Sequence, residues 1–225
     1  MKFPNAYAGV KKIFTSEILH LISVLLMMVA AIAAVFGGAG LIAAGDSAAM
    51  TDAEAAAVLG GGFLSILAIS AGAVIAIIAF ILQIVGIGNA MKDEPYFKTA
   101  FIFVFVGIAC TIVYSCFNAL TPDNLFLINL FRALAQIANL VVFIYVVGGI
   151  QRLASKLGNA DVESKGSTIF TLLIIIYLIA FVASIVSMFA PTVASILAIC
   201  VLVLDLISYI IFLIYLSKAK NMLAE

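Results

Sequence analysis

NLFRALAQIANLVVFIYVVGG, residues 129–149, decides the fold. A helix that crosses a bilayer needs roughly 20 mostly apolar residues, and this stretch supplies them. Within it stand Asn129, Arg132, Gln136 and Asn139, at spacings of three, four and three. At 100° per residue these side chains fall inside one arc of about 80°. The stretch therefore reads as a lipid-spanning helix with one polar stripe.

Composition extends that reading to the whole chain. Of 225 residues, 66% are hydrophobic and 10% charged, and the mean hydropathy is +1.34. An ordinary soluble domain is about half apolar and about a quarter charged, so this chain's apolar surface requires lipid as solvent. The formal net charge of zero gives no footing for a nucleic-acid partner. Cys110, Cys116 and Cys200 all lie inside apolar runs. A disulfide framework would sit in the loops of a small secreted chain, so they are expected to be small buried hydrophobes.

Six stretches are apolar for long enough to span: about 18–44, 59–88, 99–119, 125–150, 168–190 and 192–217. Thr51-Asp52-Ala53-Glu54 fits a capping box, in which Thr and Glu satisfy each other's free backbone N–H groups. Thr121-Pro122-Asp123-Asn124 is a turn with proline at a helix start, where its missing N–H costs nothing. Ala190-Pro191-Thr192 leaves a very tight turn between the last two spans. Nothing outside these stretches is long enough to fold alone, so the expected architecture is all-α: one polytopic transmembrane domain over 1–225. Lys2, Lys11 and Lys12 before the first run resemble a signal peptide's basic region. The run from Ile18 to Phe36, however, exceeds the ~7–15 residues of a cleaved signal core, so the span is expected to be retained.

Basic residues favour the cytoplasmic side. With the N-terminus inside, the inner segments hold Lys2, Lys11, Lys12, Lys92, Lys98, Arg152, Lys156, Lys165, Lys218 and Lys220, ten of the eleven Lys and Arg residues. The eleventh is Arg132. The outer loops carry Asp46, Asp52, Glu54 and Asp123 and no base. A multi-pass cell-membrane protein with both termini cytoplasmic follows.

The chain also reads as three repeated helical hairpins. PNAYAGVKKIF (4–14), GNAMKDEPYFKTAF (88–101) and GNADVESKGSTIF (158–170) each place Asn-Ala shortly before an odd-numbered span. The even-numbered spans close alike: Gln83, Gly86 and Asn89 align with Tyr145, Gly148 and Gln151, and with Tyr215, Lys218 and Asn221. A two-span unit keeps its orientation on copying, so these repeats would be parallel. NAYAGVKKIFTSEIL (5–19) resembles the opening of uncharacterised small six-span integral membrane proteins of Gram-positive bacteria. The resemblance covers mainly residues 1–15 and implies no assigned activity.

Function must come from the stripes. Lipid gives no hydrophobic drive for helix association, so helices pack through small residues and a few hydrogen bonds. Gly72, Ala76, Ala79, Gln83 and Gly86 on span two, and Gly107, Thr111, Tyr114 and Asn118 on span three, fit that use. So do Ala180, Ala183, Ser184 and Ser187 on span five. Span four differs, because a charge in mid-bilayer costs about 2.5–3.5 kcal/mol on insertion scales and is kept facing a partner or water. Arg132 and Asp205 are the formal charges deep inside spans. At 1.5 Å per residue, Arg132 lies about 10 Å below the outer start of its helix and Asp205 about 20 Å below its own. A polar cluster of Arg132, Gln136, Asn139 and Asp205 is therefore expected in the outer-to-middle bundle. Below it the same face becomes Phe143, Val147 and Ile150, an apolar floor. Together these describe a vestibule open outward.

Two functional classes remain open on this evidence. One is a small-solute transporter or channel-like protein, or its membrane-embedded binding subunit, taking a small polar or anionic solute. The other is a structural or accessory membrane protein without a ligand, in which Arg132 and Asp205 pair to fix helix register. A partner subunit or homo-oligomer fits either class. An enzyme is disfavoured, since the lone His20 has no ligand-spaced companions and no H-E-x-x-H, G-x-S-x-G or phosphate-loop motif occurs. No metal or cofactor is expected.

Overall fold

A computed structural model describes residues 2–44, 52–121, 124–186 and 191–224; side chains at 35–44, 52–61, 125, 180–181, 183–186, 191–199, 202 and 205 also lie outside the description. Six helices run through the described residues: α1 Pro4–Ala44, α2 Asp52–Ala90, α3 Tyr96–Leu120, α4 Leu125–Leu157, α5 Ala160–Val186 and α6 Pro191–Ala224. No strand occurs among them. Each of the six is long and apolar enough to cross a bilayer. The chain is an all-α integral membrane protein.

The helices outrun the apolar stretches, chiefly at the basic ends. α1 begins at Pro4 rather than near 18, and α5 at Ala160 rather than near 168. Hydropathy marks how much helix lipid can cover, whereas helix ends are set by caps. Gly158, at φ +70°, closes α4, its N–H donating to the carbonyls of Ala154 and Ser155. That left-handed turn suits glycine. Asn159 then caps α5, its Oδ1 accepting from Val162 N–H at 3.1 Å. Asn124 caps α4, accepting from Leu127 N–H at 3.3 Å, so the cap of this helix is asparagine; Pro122 and Asp123 lie outside the described residues. So does Thr51 of the expected capping box.

The chain divides into two compact units, residues 15–83 and residues 1–14 with 84–225. The smaller is an antiparallel pair made by α1 and α2. Ser16 Oγ donates to the Ala79 carbonyl at 2.8 Å and Ser23 Oγ to the Gly72 carbonyl at 2.9 Å. Ser16, Ser23 and Ala30 are buried, as are Ser65, Gly72 and Ala79. On each helix these small residues recur every seventh position, the period that keeps one seam facing a partner. Gly9 and Gly86 continue the two series by sequence, and within the larger unit they touch. A Cβ on Gly9 would lie 2.5 Å from the Gly86 carbonyl oxygen.

In the larger unit α4 packs against α3, α5 and α6. Phe97 of α3 is fully buried, and a Cβ on Gly149 would come within 2.7 Å of its ring. Phe143 and Phe212 meet at 4.5 Å between centroids. Tyr215 OH donates to the Val147 carbonyl at 3.1 Å, satisfying a hydroxyl that would be costly to bury alone. Among the described residues of α3 to α6 the buried core gathers toward one end: 97–107 on α3, 138–154 on α4, 162–176 on α5 and 208–223 on α6. The opposite halves expose large apolar residues such as Ile112, Phe126, Ile137, Leu178 and Val203, as lipid-facing surface does.

The Asn-Ala dipeptides take three different local roles. Asn5 lies in the first turn of α1 and donates to Asp93 Oδ1 at 2.9 Å. Asn89 stands in the last turn of α2, and Asn159 caps α5. A triplicated hairpin is not evident in these contacts.

Candidate functional site

The polar stripe of α4 lies on a seam with α3. The antiparallel register is fixed by Phe97 against Gly149 at one end and by Phe117 stacked on Phe131 at the other, with centroids 5.8 Å apart. Between them Arg132 Nη2 donates to Tyr114 OH at 2.8 Å, with its guanidinium carbon 5.1 Å from the Tyr114 ring centroid. Two turns further in, Asn139 Oδ1 lies 3.4 Å from where a Cβ on Gly107 would stand. The stripe read on span three, Gly107, Thr111 and Tyr114, thus faces the stripe read on span four. Thr111 Oγ1 turns back to the Gly107 carbonyl at 2.9 Å.

Arg132, Gln136 and Asn139 are all exposed. Among the described residues, Gln136 and Asn139 have no side-chain hydrogen-bond partner, and the partner of Arg132 is a neutral hydroxyl. Phe143 is half-buried beneath them, and Val147 and Ile150 are buried in the core. The stripe therefore runs from exposed and polar to buried and apolar along a single helix face. Asp205, expected in the same cluster, has its side chain outside the described residues.

A second polar cluster lies where α2 ends, α3 begins and α4 ends. In the sequence Arg152 and Lys156 count only as topology markers, and Asp93 and Glu94 stand out for nothing. Glu94 is fully buried, and its Oε2 accepts from Lys156 Nζ at 2.5 Å. Arg152 Nη1 stands 3.6 Å from Glu94 Oε1, an oxygen with no hydrogen-bond partner. The neighbouring Asp93 accepts from Asn5 and from the Ala6 backbone N–H at 2.7 Å. Two adjacent carboxylates thus hold the start of α1 and the end of α4. The available signal was the carboxylate pair Asp93-Glu94, between Lys92 and Lys98 in a short connector, with Arg152 and Lys156 one turn apart at the end of another span.

Near the same helix ends Asp161 bonds both Lys165 and Lys218, the latter at 2.7 Å. Asn159, Asp161, Lys218 and Asn221 line an open groove of about 220 Å³. No group of three or more His, Cys, Asp or Glu side chains is placed to hold a metal among the described residues. The cysteines correct one expectation: Cys110 is half-buried, but Cys116 and Cys200 are exposed. A thiol is apolar enough to face lipid as readily as a core. No family model, curated protein or solved structure matches the chain.

Proposed function

We propose that this integral membrane protein binds a small anionic solute, a carboxylate in the first instance, on the α3–α4 seam. It would act as a small transporter or channel-like protein, or as the membrane-embedded binding subunit of one. The observation that carries the reading is the position of Arg132: an exposed cation within an apolar helix, held by the neutral Tyr114. Intramembrane cations are kept with a counter-charge, and the guanidinium fork matches a carboxylate's two oxygens. Gln136 and Asn139 offer further amide groups along the same face. In this reading the basic helix ends and both termini face the cytoplasm, the stripe opens outward, and no covalent chemistry takes place.

The alternative is a structural protein in which Asp205 supplies the counter-charge and there is no ligand. It is favoured by the depth of Asp205, level with Gln136 and Asn139 by residue count. The two separate in a thermal-shift titration of the detergent-purified protein against mono- and dicarboxylates, run on the parent, Arg132→Met, Asp205→Leu and the double variant. A ligand site predicts saturable stabilisation that Arg132→Met weakens by roughly 10- to 100-fold, the worth of one charge-assisted hydrogen bond. A structural pair predicts no ligand response and a double variant milder than the sum of its singles. Tyr114→Phe keeps the ring and removes only the hydroxyl, so a bound anion should survive it.

A further inference from the structure

The basic end of α4 carries more positive charge than its buried partner neutralises. Glu94 is one carboxylate facing two cations, Arg152 and Lys156, whose side chains remain 56% and 49% exposed. Lys156 uses one of its three N–H donors on Glu94. Arg152 has five donors, and none reaches hydrogen-bonding distance of an acceptor among the described residues. The guanidinium is nevertheless held in place, its carbon 4.5 Å from the Tyr96 ring centroid. Tyr96 in turn packs against Tyr145 at 5.5 Å. A flat, pre-oriented fork with unused donors is what a phosphate's oxygens require, and orienting it beforehand lowers the entropy lost on binding.

Its level in the molecule points to the source of that phosphate. Gly148, Gly149 and Ile150 are buried in the core, and Arg152 and Lys156 follow within two turns. This is where the apolar span gives way to water. Tyrosine side chains concentrate at headgroup depth, and basic pockets between helix ends at such a boundary take anionic lipid headgroups. We propose that Arg152, stacked on Tyr96, and Lys156, both pinned by Glu94, bind the phosphodiester of an anionic phospholipid in the adjoining leaflet. Glu94 is then a positioning residue, since its buried carboxylate sets both cations without reaching the lipid.

The test uses the full chain purified in a neutral detergent. Its thermal unfolding is followed while phosphatidylglycerol, phosphatidylcholine or inorganic phosphate is added. Saturable stabilisation by phosphatidylglycerol alone is expected. Arg152→Gln should raise the lipid concentration at half-effect roughly fivefold, matching the loss of one basic contact at a membrane surface. Lys12→Gln, a base on α1, should leave it unchanged. If Arg152→Gln cannot be purified, Arg152→Lys, which keeps the charge and loses the fork, should still bind more weakly than the parent; a parental midpoint overturns the proposal. Equal stabilisation by phosphatidylcholine, equal stabilisation by inorganic phosphate, or the same loss in Lys12→Gln also overturns it, in favour of general solvation, a free-ion site or diffuse charge respectively.

Discussion

Replacing Gly9 with alanine tests a close backbone approach in the larger unit. The new Cβ would stand 2.5 Å from the Gly86 oxygen and 2.7 Å from the Ala90 nitrogen, both main-chain atoms that cannot swing aside. Ordinary contact begins near 3.4 Å, so α1 and α2 must separate there by about 0.9 Å, from 3.4 less 2.5. A radial gap of ~0.5–1 Å forfeits a quarter to a half of each affected dispersion contact, and overpacking of this kind costs about 1–3 kcal/mol. Alanine's better helix propensity returns up to ~1 kcal/mol. The net should be a loss of about 1–2 kcal/mol, a fall in Tm of roughly 2–8 °C for a chain of this size. Gly62→Ala is the control, because nothing lies within 4 Å of its Cβ; it should be neutral or stabilising. Gly86→Ala needs much of the same separation, so the double variant should cost less than the sum. Thermal unfolding of the parent and all four variants in one detergent decides the matter. If Gly9→Ala gains stability as Gly62→Ala does, the helices do not meet at these glycines.

Three further outcomes are expected. Lys156→Met should destabilise more than Glu94→Gln. The first leaves the buried carboxylate with Arg152 alone, 3.6 Å away and not hydrogen-bonded, and costs at most ~3–5 kcal/mol, whereas the second leaves two half-exposed cations that water can solvate; the reverse order in thermal unfolding would mean that Lys156 does not hold Glu94. Ala79→Leu, at a buried position on the α1–α2 seam, should cost about 1–3 kcal/mol, while Ile77→Leu, 60% exposed, should leave Tm unchanged. Equal shifts at the two positions would misplace the seam. Cysteines introduced at Ser47 and Ser164 should label from opposite faces of the membrane, Ser47 from outside; labelling of both from one face rules out six alternating spans.

Hydropathy alone made the membrane class and the six spans legible, because burying apolar residues in lipid needs no tertiary partner. The α3 and α4 stripes were legible too, since polar groups are rare enough in these spans to stand out. That they face each other was not, because register depends on aromatic contacts such as Phe97 on Gly149, for which sequence gives no distance. The seven-residue series of Ser16, Ser23 and Ala30 escaped notice for a different reason. Small residues barely register against an apolar background. Glu94 was hidden by its position in a connector, where a carboxylate ordinarily meets water; only its burial beneath Arg152 and Lys156 sets it apart.

The larger unit joins residues 1–14 to residues 84–225, and this imposes an order on assembly. Phe3 lies 6.0 Å from Lys156 Nζ, and Phe14 lies 4.9 Å from Lys220 Nζ. At ~5–20 residues per second on the ribosome, the start of the chain waits roughly 10–40 s for Lys220 to be made. The pairing of Ser16 with Ala79 and of Ser23 with Gly72 needs nothing beyond residue 83 and can close first. The start of α1 first has its contacts with Gly86, Ala90 and Asp93, and those of Phe3 with Lys156 and of Phe14 with Lys220 follow later. A nascent chain stopped before Tyr215, Leu216, Ala219 and Leu223, all buried, should be recognised as unfinished although most of its helices are already in place.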